Sequence, residues 1–570
     1  MSRRTMSAMS RHRCSVCGST CRGGNSTACS TPRWRRPRCR WGVKEHKVMI
    51  NAVVWGGLYR GVETVAHAAP TLLCGLFVAA VFRHLFGTGL TLRWMGAGGP
   101  TSLLRAWLLG MLLPVCSIGA IPVARELVRA GLGGGAVLAF TVSAPLFNPI
   151  SLLYGLTLSH PLVILGFALA SMVVVNVAGM VWDRSWREAR SSPAETAATT
   201  APPGWRRIAL LGLGMVRDAA GPTLAYAALA VLGVMLLAVV LPAGSLQTTM
   251  KAFDPWAAPM MALISLPAHI TPTDAMMQVG SMFDHGNSVG AAYVLLSVGA
   301  GLNVGIVAWA WRTFGFRPAA SWVLILVTIV VSLGWLIERP LSFRDSPPEQ
   351  HTHAFDGFCL PFPADIPDPA GMCRALLADR IASHEWNALA LLGVLVACGA
   401  ILAIVDPKHR LERRLTAVSV PHEVTRPRRG WDVTVPAPVL GVVLVCGLVA
   451  LSAMAAYVYY PDRETCVREL QVVAAETNSA VLDRDRRRAE VWITTWEELV
   501  RRAEVGIWIR DGRVDEALIL ASSRLRDRIE ALEHAVMDAD HPDEGIVSAA
   551  LKQLQAAALV HRDAVRGIGG

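Results

Sequence analysis

Two short stretches hold the residues best suited to chemistry. In "PVCSIGAIP" (114–122), Pro114 and Pro122 bracket Cys116, Ser117 and Gly119. In "SLPAHITPTD" (265–274), Pro267 and Pro272 bracket His269 and Thr271, and Thr273 and Asp274 follow. Proline lacks a backbone N–H and its ring clashes with the carbonyl four residues back, so a helix kinks or breaks there. The freed carbonyls become ligands beside a thiol, hydroxyls, an imidazole and a carboxylate. Each stretch leads into a segment of small residues that ends in asparagine. The first is "GLGGGAVLAFTVSAPLFNP" (131–149), with Pro145, Asn148 and Pro149; the second is "GNSVGAAYVLLSVGAGLN" (286–303), with Asn303. This set suits the binding and release of a solute. It does not suit an enzyme: no nucleophile-and-base spacing is evident, and no P-loop, Gly-x-Ser-x-Gly, His-Glu-x-x-His or kinase signature occurs. An isolated proline kink could serve packing alone. Two of them, each followed by the same order of parts, favour a binding site.

The elements that must position these residues are membrane helices. Of 570 residues, 53% are hydrophobic and 17% charged, and the mean hydropathy is +0.41. A soluble globular chain rarely combines these values. Apolar runs at 66–86, 136–158, 160–182, 221–243, 290–311, 318–337, 388–405 and 436–458 have roughly the length needed to cross a hydrocarbon core about 30 Å thick. Two more, 103–122 and 256–280, are punctuated by Pro and Gly. Irregular backbone at membrane depth survives only where protein or a polar cavity satisfies it. Residues 114–122 and 267–274 are therefore expected to be non-helical or sharply kinked and to pack against each other around one cavity.

The formal charge of +11 does not point to nucleic acid. Residues 1–48 carry twelve Lys/Arg against Glu45, so the remaining chain is neutral overall, and no basic stripe lies on a folded face. The first 48 residues read as a basic disordered tail, or as a start assigned too early with Met49 the true beginning. Their Cys14, Cys17, Cys21, Cys29 and Cys39 include one metal-like spacing but no second well-placed pair.

The chain divides into a first membrane block (60–182), a polar linker (183–219), a second block (220–337), a polar loop (338–387), two further spans (388–458) and a charged tail (462–570). At an offset of 155 residues, 286–303 lies over 131–148: Gly290 falls on Gly135, Ala291 on Ala136 and Asn303 on Asn148. Paired broken segments in two halves point to a transporter's binding site. A buried amide needs a partner that both donates and accepts, so Asn148 and Asn303 are expected to face each other across the repeat axis. Cytoplasmic loops carry an excess of Lys/Arg. With the basic 183–219 and 406–435 inside and 338–387 outside, each block crosses three times plus a hairpin, which makes the repeats inverted. A parallel arrangement of four crossings each would expose 406–435 instead. The inverted one is preferred.

In the tail, apolar residues at helical spacing (Val467, Leu470 and Val473; Trp492, Trp496 and Leu499; Leu518 to Val536; Leu551 and Leu554) predict a soluble helical hairpin or three-helix bundle, a docking module for a protein partner through 462–566. In the polar loop, Cys359 and Cys373 could form a disulfide outside the cytosol. His351, His353 and Asp356 read either as solvated loop residues or as a metal site. Arg125, Glu126 and Arg129 read as surface charges at a hairpin tip.

The stretch "PVCSIGAIPVARELVRAGLGGGAVLAFTVSAPLFNP" resembles the predicted-permease family that includes the ArsP-like organoarsenical efflux permeases. The resemblance covers about 66–337 and is strongest at 114–149. Cys116, Ser117, Gly119, Ile121 and Pro122 match that family's motif, while Ile118 stands where its second Cys is usual. Soft metalloids prefer thiolates, and of this motif only Cys116 supplies one; Cys74 reads as core. The resemblance implies an integral membrane permease exporting a small solute or metalloid compound.

The reading is thus an all-α, polytopic transmembrane bundle of the cell (inner) membrane with two internal repeats, not an enzyme, with no cofactor and no bound metal. Its partners would be the lipid bilayer, a small solute, a protein at the tail and a second copy in a homo-oligomer, with no nucleic acid. The site residues would be Cys116, Ser117, Gly119, Pro122, Pro145, Asn148, Pro149, Pro267, His269, Thr273, Asp274 and Asn303. A membrane-anchored assembly or sensing protein, built on a degenerate permease, is the alternative.

Overall fold

The computed structural model describes residues 43–567 apart from Ala97, Asn148, 157–160, 187–203, Gln247, 342–354, 364–365, 417–434 and 538–542. The basic tail up to Trp41, its cysteines, the loop histidines His351 and His353, and Asn148 with its expected partnership therefore lie outside the described residues. Everything below concerns the compact unit from Lys47 onward.

The chain is all-α. In the first block α1 (Val43–Val81) continues through a π-helical turn (Phe82–Phe86) into α2 (Gly87–Met95), followed by α3 (Pro100–Leu112), α4 (Ser117–Arg129), α5 (Gly134–Ser143), α6 (Pro149–Leu156) and α7 (Pro161–Ser185). Then come α8 (Trp205–Ala219), α9 (Pro222–Val240), α10 (Ala257–Ser265), α11 (Pro272–Asp284), α12 (Val289–Val294) with a π-helical extension (Leu295–Ala300), α13 (Val304–Phe314) and α14 (Phe316–Leu341). Beyond these lie α15 (Pro369–Arg380), α16 (Ser383–Val405), α17 (Arg410–Thr416) and α18 (Ala437–Tyr459). The tail forms α19 (Arg463–Leu482), α20 (Arg486–Asp511), α21 (Glu516–Met537) and α22 (Glu544–Arg566).

Among the described residues six helices are long and apolar enough to span a bilayer: Met49–Met95, Leu162–Ser185, Pro222–Val240, Phe316–Leu341, Ser383–Val405 and Ala437–Tyr459. This is a multi-pass integral membrane protein. The apolar side chains that α16 and α18 expose, among them Ile404, Val405, Val443 and Leu451, make sense only against lipid.

Two of the expected spans are not continuous helices. The run 136–158 divides into α5 and α6 around a turn at 144–147: Pro145 has no N–H to extend α5, and Pro149 opens α6, where a missing N–H costs nothing. The run 290–311 bends by 57° between Ala300 and Val304; no proline is present there, and a π-helical stretch followed by Gly301 ends the first half.

Small residues set the helix contacts. A Cβ on Gly75 of α1 would stand 2.2 Å from the carbonyl oxygen of Gly119, so α1 and α4 meet backbone to backbone. A Cβ on Gly135 of α5 would stand 2.5 Å from the carbonyl oxygen of Gly179 on α7, and one on Gly290 of α12 would stand 2.4 Å from that of Gly334 on α14. The exposed N–H at each of these two helix starts is taken by a carboxylate: Gly135 N donates to Asp183 (2.9 Å) and Gly290 N to Glu338 (2.6 Å).

Polar contacts mark the two ends of the bundle. At one end Arg60 of α1 donates to the carbonyls of Asp356 (2.6 Å) and Cys359 (3.1 Å), and Leu360 N donates to Leu241 O (2.9 Å). At the other, Arg217 of α8 pairs with Asp406 (2.9 Å), and Arg83 in the π-helical turn pairs with Glu126 and with Asp218 at 2.8 Å. Glu126 and Asp218 are buried, and Arg129 also meets Glu126. Arg125 donates to Thr223 at 3.1 Å. Arg125 and Glu126 belong to an internal ion network joining α1, α4, α8 and α9 and are not the surface charges expected, whereas Arg129 is exposed.

Two further expectations change. Cys359 and Cys373 are separate free thiols. Cys359 sits against Ser245 Oγ at 3.6 Å, where burial pushes its thiol pKa up and suppresses the reactive thiolate. The tail contains four helices rather than two or three, with one core formed by Leu470, Trp496, Leu525 and Leu554 and a second around Cys466 and Val565.

Candidate functional site

The first break is the extended stretch 113–116 between α3 and α4. Cys116 is the N-cap of α4, and its Sγ accepts from Gly119 N at 3.4 Å. The helix therefore resumes at Ser117, and Pro122 lies inside α4 rather than closing the break. The second break spans 266–271. Pro272 occupies the first position of α11, which its fixed φ suits, and Thr271 caps the helix. Thr271 Oγ1 accepts from Asp274 N (3.2 Å) and donates to the Asp274 carboxylate (2.7 Å). Residues 117–122 and 272–274 are thus helical, and the irregular backbone is shorter than expected at both places. The third break, 301–303, ends at Asn303, which caps α13 by accepting from Ile306 N at 2.9 Å.

These three breaks meet. Asn303 Nδ2 donates to Ser117 Oγ at 2.9 Å, and Ser117 Oγ lies 2.8 Å from His269 Nδ1. Cys116, Ser117 and Asn303 are fully buried, and His269 nearly so. The hydroxyl accepts the amide proton and forms a second hydrogen bond with His269 Nδ1, which either ring tautomer can make, so that Nε2 is the remaining ring nitrogen. That nitrogen is buried and finds no hydrogen-bond partner among the described residues. A buried ring nitrogen without a partner is costly in either protonation state. At this point the starts of α4 and α13 are linked through Ser117 and the cap Asn303, each bringing a partial positive charge, and His269 joins them from the break that precedes α11. The arrangement offers donors and positive potential to an electron-rich group of a solute.

The other expected residues fall around this chain. Gly119 gives α4 its close contact with α1, and Cys74 of α1 is a neighbouring thiol near enough to interact with Cys116. The carbonyl of Pro267 lies against Gly233 of α9. Pro145 is buried in the turn after α5, whose Val142 packs on Gly301. Pro149 begins α6. Thr273 is in the first turn of α11, half-buried and outside the hydrogen-bonded chain. Asp274 sits one turn from His269 toward the bundle end, 3.4 Å from His67 Nδ1 of α1. His67 in turn lies 3.9 Å from Glu385 at the start of α16. Neither His67 nor Glu385 was expected here. The signal available was that ionisable residues in apolar runs are rare and expensive.

Residues 62–339 match the profile of a family described as a predicted permease, of the ArsP type. The UPF0718 protein YcgR of Bacillus subtilis (strain 168) is 30% identical over 91 residues, 16% of this chain and 31% of that protein. The chain thus spans less than a third of that relative's length. No solved structure matches the chain. The segment that carries all three breaks is thus the one that is similar to this predicted-permease family.

Proposed function

We propose that this protein is a permease of the cell (inner) membrane, a secondary transporter that exports a small solute or metalloid compound through a site between the broken segments. The observation that carries the reading is the buried chain Asn303–Ser117–His269, which ties three helix breaks to one point and leaves His269 Nε2 unpartnered. Discontinuous helices whose ends converge are how transporters build a site that two halves can share.

The two blocks are inverted repeats in this reading. At the offset of 155, the start of α4 falls on that of α11, α5 on α12, α6 on α13 and α7 on α14. The carboxylates Asp183 and Glu338, which hold Gly135 and Gly290, are separated by the same offset. From the central chain, α4 runs toward the Arg83–Asp218 end, where its Glu126 is buried. α11 runs the opposite way, toward the tail, where His285 lies 3.7 Å from Glu530. Opposed directions support inversion over the parallel arrangement.

The test is transport in everted membrane vesicles, with a panel of small solutes that includes trivalent methylarsenic, comparing the intact chain with Cys116→Ala, Ser117→Ala and His269→Gln. Transport that Ser117→Ala and His269→Gln abolish supports the reading. Transport unaffected by all three variants removes the site. The contacts of the tail with α11 favour a second reading, a membrane-anchored assembly protein. It prevails if no solute moves through folded protein while the tail captures a purified partner.

A further inference from the structure

The side chains His67, Asp274 and Glu385 come from three separate elements, α1, α11 and α16; Asp274 also bonds the α11 cap Thr271, and Glu385 Oε2 also accepts from Ala382 N at the start of α16 (2.9 Å). His67 Nδ1 lies 3.4 Å from Asp274 Oδ2 and its Nε2 lies 3.9 Å from Glu385 Oε2. A neutral imidazole has one N–H and one lone pair, so it can face one carboxylate favourably and must oppose the other. Only the imidazolium, with two donors, serves both. We propose that His67 is a proton-binding site whose occupancy decides whether α1, α11 and α16 are tied together, and that the proton is the coupling ion of this permease.

The link to the solute site is short. Asp274 also accepts from Thr271 Oγ1, the cap that begins α11 immediately after the second break. His269 in that break holds Ser117. Loss of the proton from His67 sets a lone pair against one carboxylate, and the contact between α1 and α11, or that between α1 and α16, must open. A solute site shared between α4 and the second break would feel that opening. The side chains of His67 and Asp274 are 26% and 36% accessible, while His67 Nε2 itself is buried and makes no hydrogen bond among the described residues. The ring is the only titrating group of the cluster suited to neutral pH.

Other charged groups face this cluster. On α1, Glu63 is held by Tyr59 Oη (2.6 Å) and Arg60 (2.7 Å). Arg380 of α15 acts on Tyr59, and His269 acts on Asp274. Tyr459 of α18, which carries Arg502 against it, acts on both Asp274 and Glu385. Glu63 is already engaged by Arg60 and Tyr59, which leaves Asp274 and Glu385 as the acceptors for His67.

The inference deepens the transporter reading, yet its test needs no solute. The purified full chain in detergent is heated across a series from about pH 5 to about pH 9, a range that brackets imidazole titration, with the proton as the only ligand. The thermal midpoint of the wild type is expected to fall as pH rises and His67 loses its proton. His67→Gln, which keeps a hydrogen bond to Asp274 but cannot titrate, should lose that step. His67→Lys, permanently charged over most of the range, should show the low-pH midpoint throughout. A wild-type profile without the step, or the same step in His67→Gln, overturns the proposal. If either variant misfolds, the Asp274→Asn and Glu385→Gln pair provides the same readout, since each removes one carboxylate from the ring and should shrink the step. Failure of transport with the step intact would sink the permease reading and leave the proton site. Transport with no step would do the reverse.

Discussion

Replacing Asn303 separates two roles that one side chain performs. Its Oδ1 caps α13 through Ile306 N at 2.9 Å, and its Nδ2 donates to buried Ser117 at 2.9 Å. Loss of an N-cap costs about 1 kcal/mol. Leaving the buried Ser117 oxygen without its donor costs about 1–3 kcal/mol more. Asn303→Ala loses both, so the expected destabilisation is roughly 2–4 kcal/mol. Asn303→Ser retains a capping hydroxyl but is too short to bridge, so it should lose only the second part. Reversible unfolding in mixed micelles would measure both variants, alone and combined with Ser117→Ala. In that double-mutant cycle the bridge should appear as a coupling of about 0.5–3 kcal/mol. Equal losses for Ala and Ser would show that capping is not at work. Strict additivity with Ser117→Ala would show that the bridge carries no energy, and the joined-break site would lose its physical basis.

Four further outcomes follow from named contacts. His561 in the tail is buried, with Nε2 at 3.1 Å from Ser522 Oγ, and burial lowers its pKa to about 4. The unfolded chain therefore binds the extra proton first, and stability should decline as pH falls from about 6.5 to about 4, by up to about 3 kcal/mol. Limited proteolysis of the full chain should cut 463–566 faster at the acid end, and His561→Gln should remove the difference. Gly75→Val, which places a Cβ 2.2 Å from the Gly119 carbonyl, should sharply lower the yield of folded protein, whereas Gly393→Ala, in open space, should be neutral or stabilising by about 0.5–1 kcal/mol. Asp183→Asn and Glu338→Gln should lower the thermal midpoint by similar amounts if the blocks are repeats, since each removes one charged acceptor from an equivalent glycine. Glu126→Ala, which strips a buried carboxylate from Arg83, should cost about 3–5 kcal/mol, while loss of Arg129, which is 48% accessible, should be much milder.

How far the chain could be read in advance depended on whether a feature was local. Pro114, Pro267 and Pro272 announce their breaks because a proline acts on its own backbone. Asn303 reads in the sequence as the end of a small-residue helix, whereas it is the cap that starts the next one. The bend after Ala300 has no proline, and the π-helical stretch before it leaves no trace in composition. The turn at Pro145 was visible, yet the surrounding apolar run outweighed it and read as one span. Pairings across the bundle were illegible. Nothing near Arg83 names Asp218 as its partner, so Arg125, Glu126 and Arg129 read as surface charges. His67 stood in an apolar run with no hint that α11 and α16 would bring carboxylates to it. The tail shows its stripes and its break at 510–513 in the sequence, but the turn at 483–485, which lacks proline, separates α19 from α20 without announcing itself.

The attachment of the tail to α11 has a mechanical consequence. A body joined to the membrane part by one flexible point, the junction of α18 and α19, would be free to rotate about it. Here Arg501 holds the Met277 carbonyl at 3.4 Å and Glu530 lies 3.7 Å from His285. These two points are separated by about 12 Å along the α11 axis, from eight residues at roughly 1.5 Å each. Tyr460 at the junction is stacked on Tyr154 of α6, with ring centroids 6.5 Å apart. Contacts at Met277, at His285 and at Tyr154 oppose the rotations a single tether would permit. α11 must therefore carry the four tail helices with it whenever it moves, or else release them, so any load placed on their outer face is a load on the helix that begins at the second break.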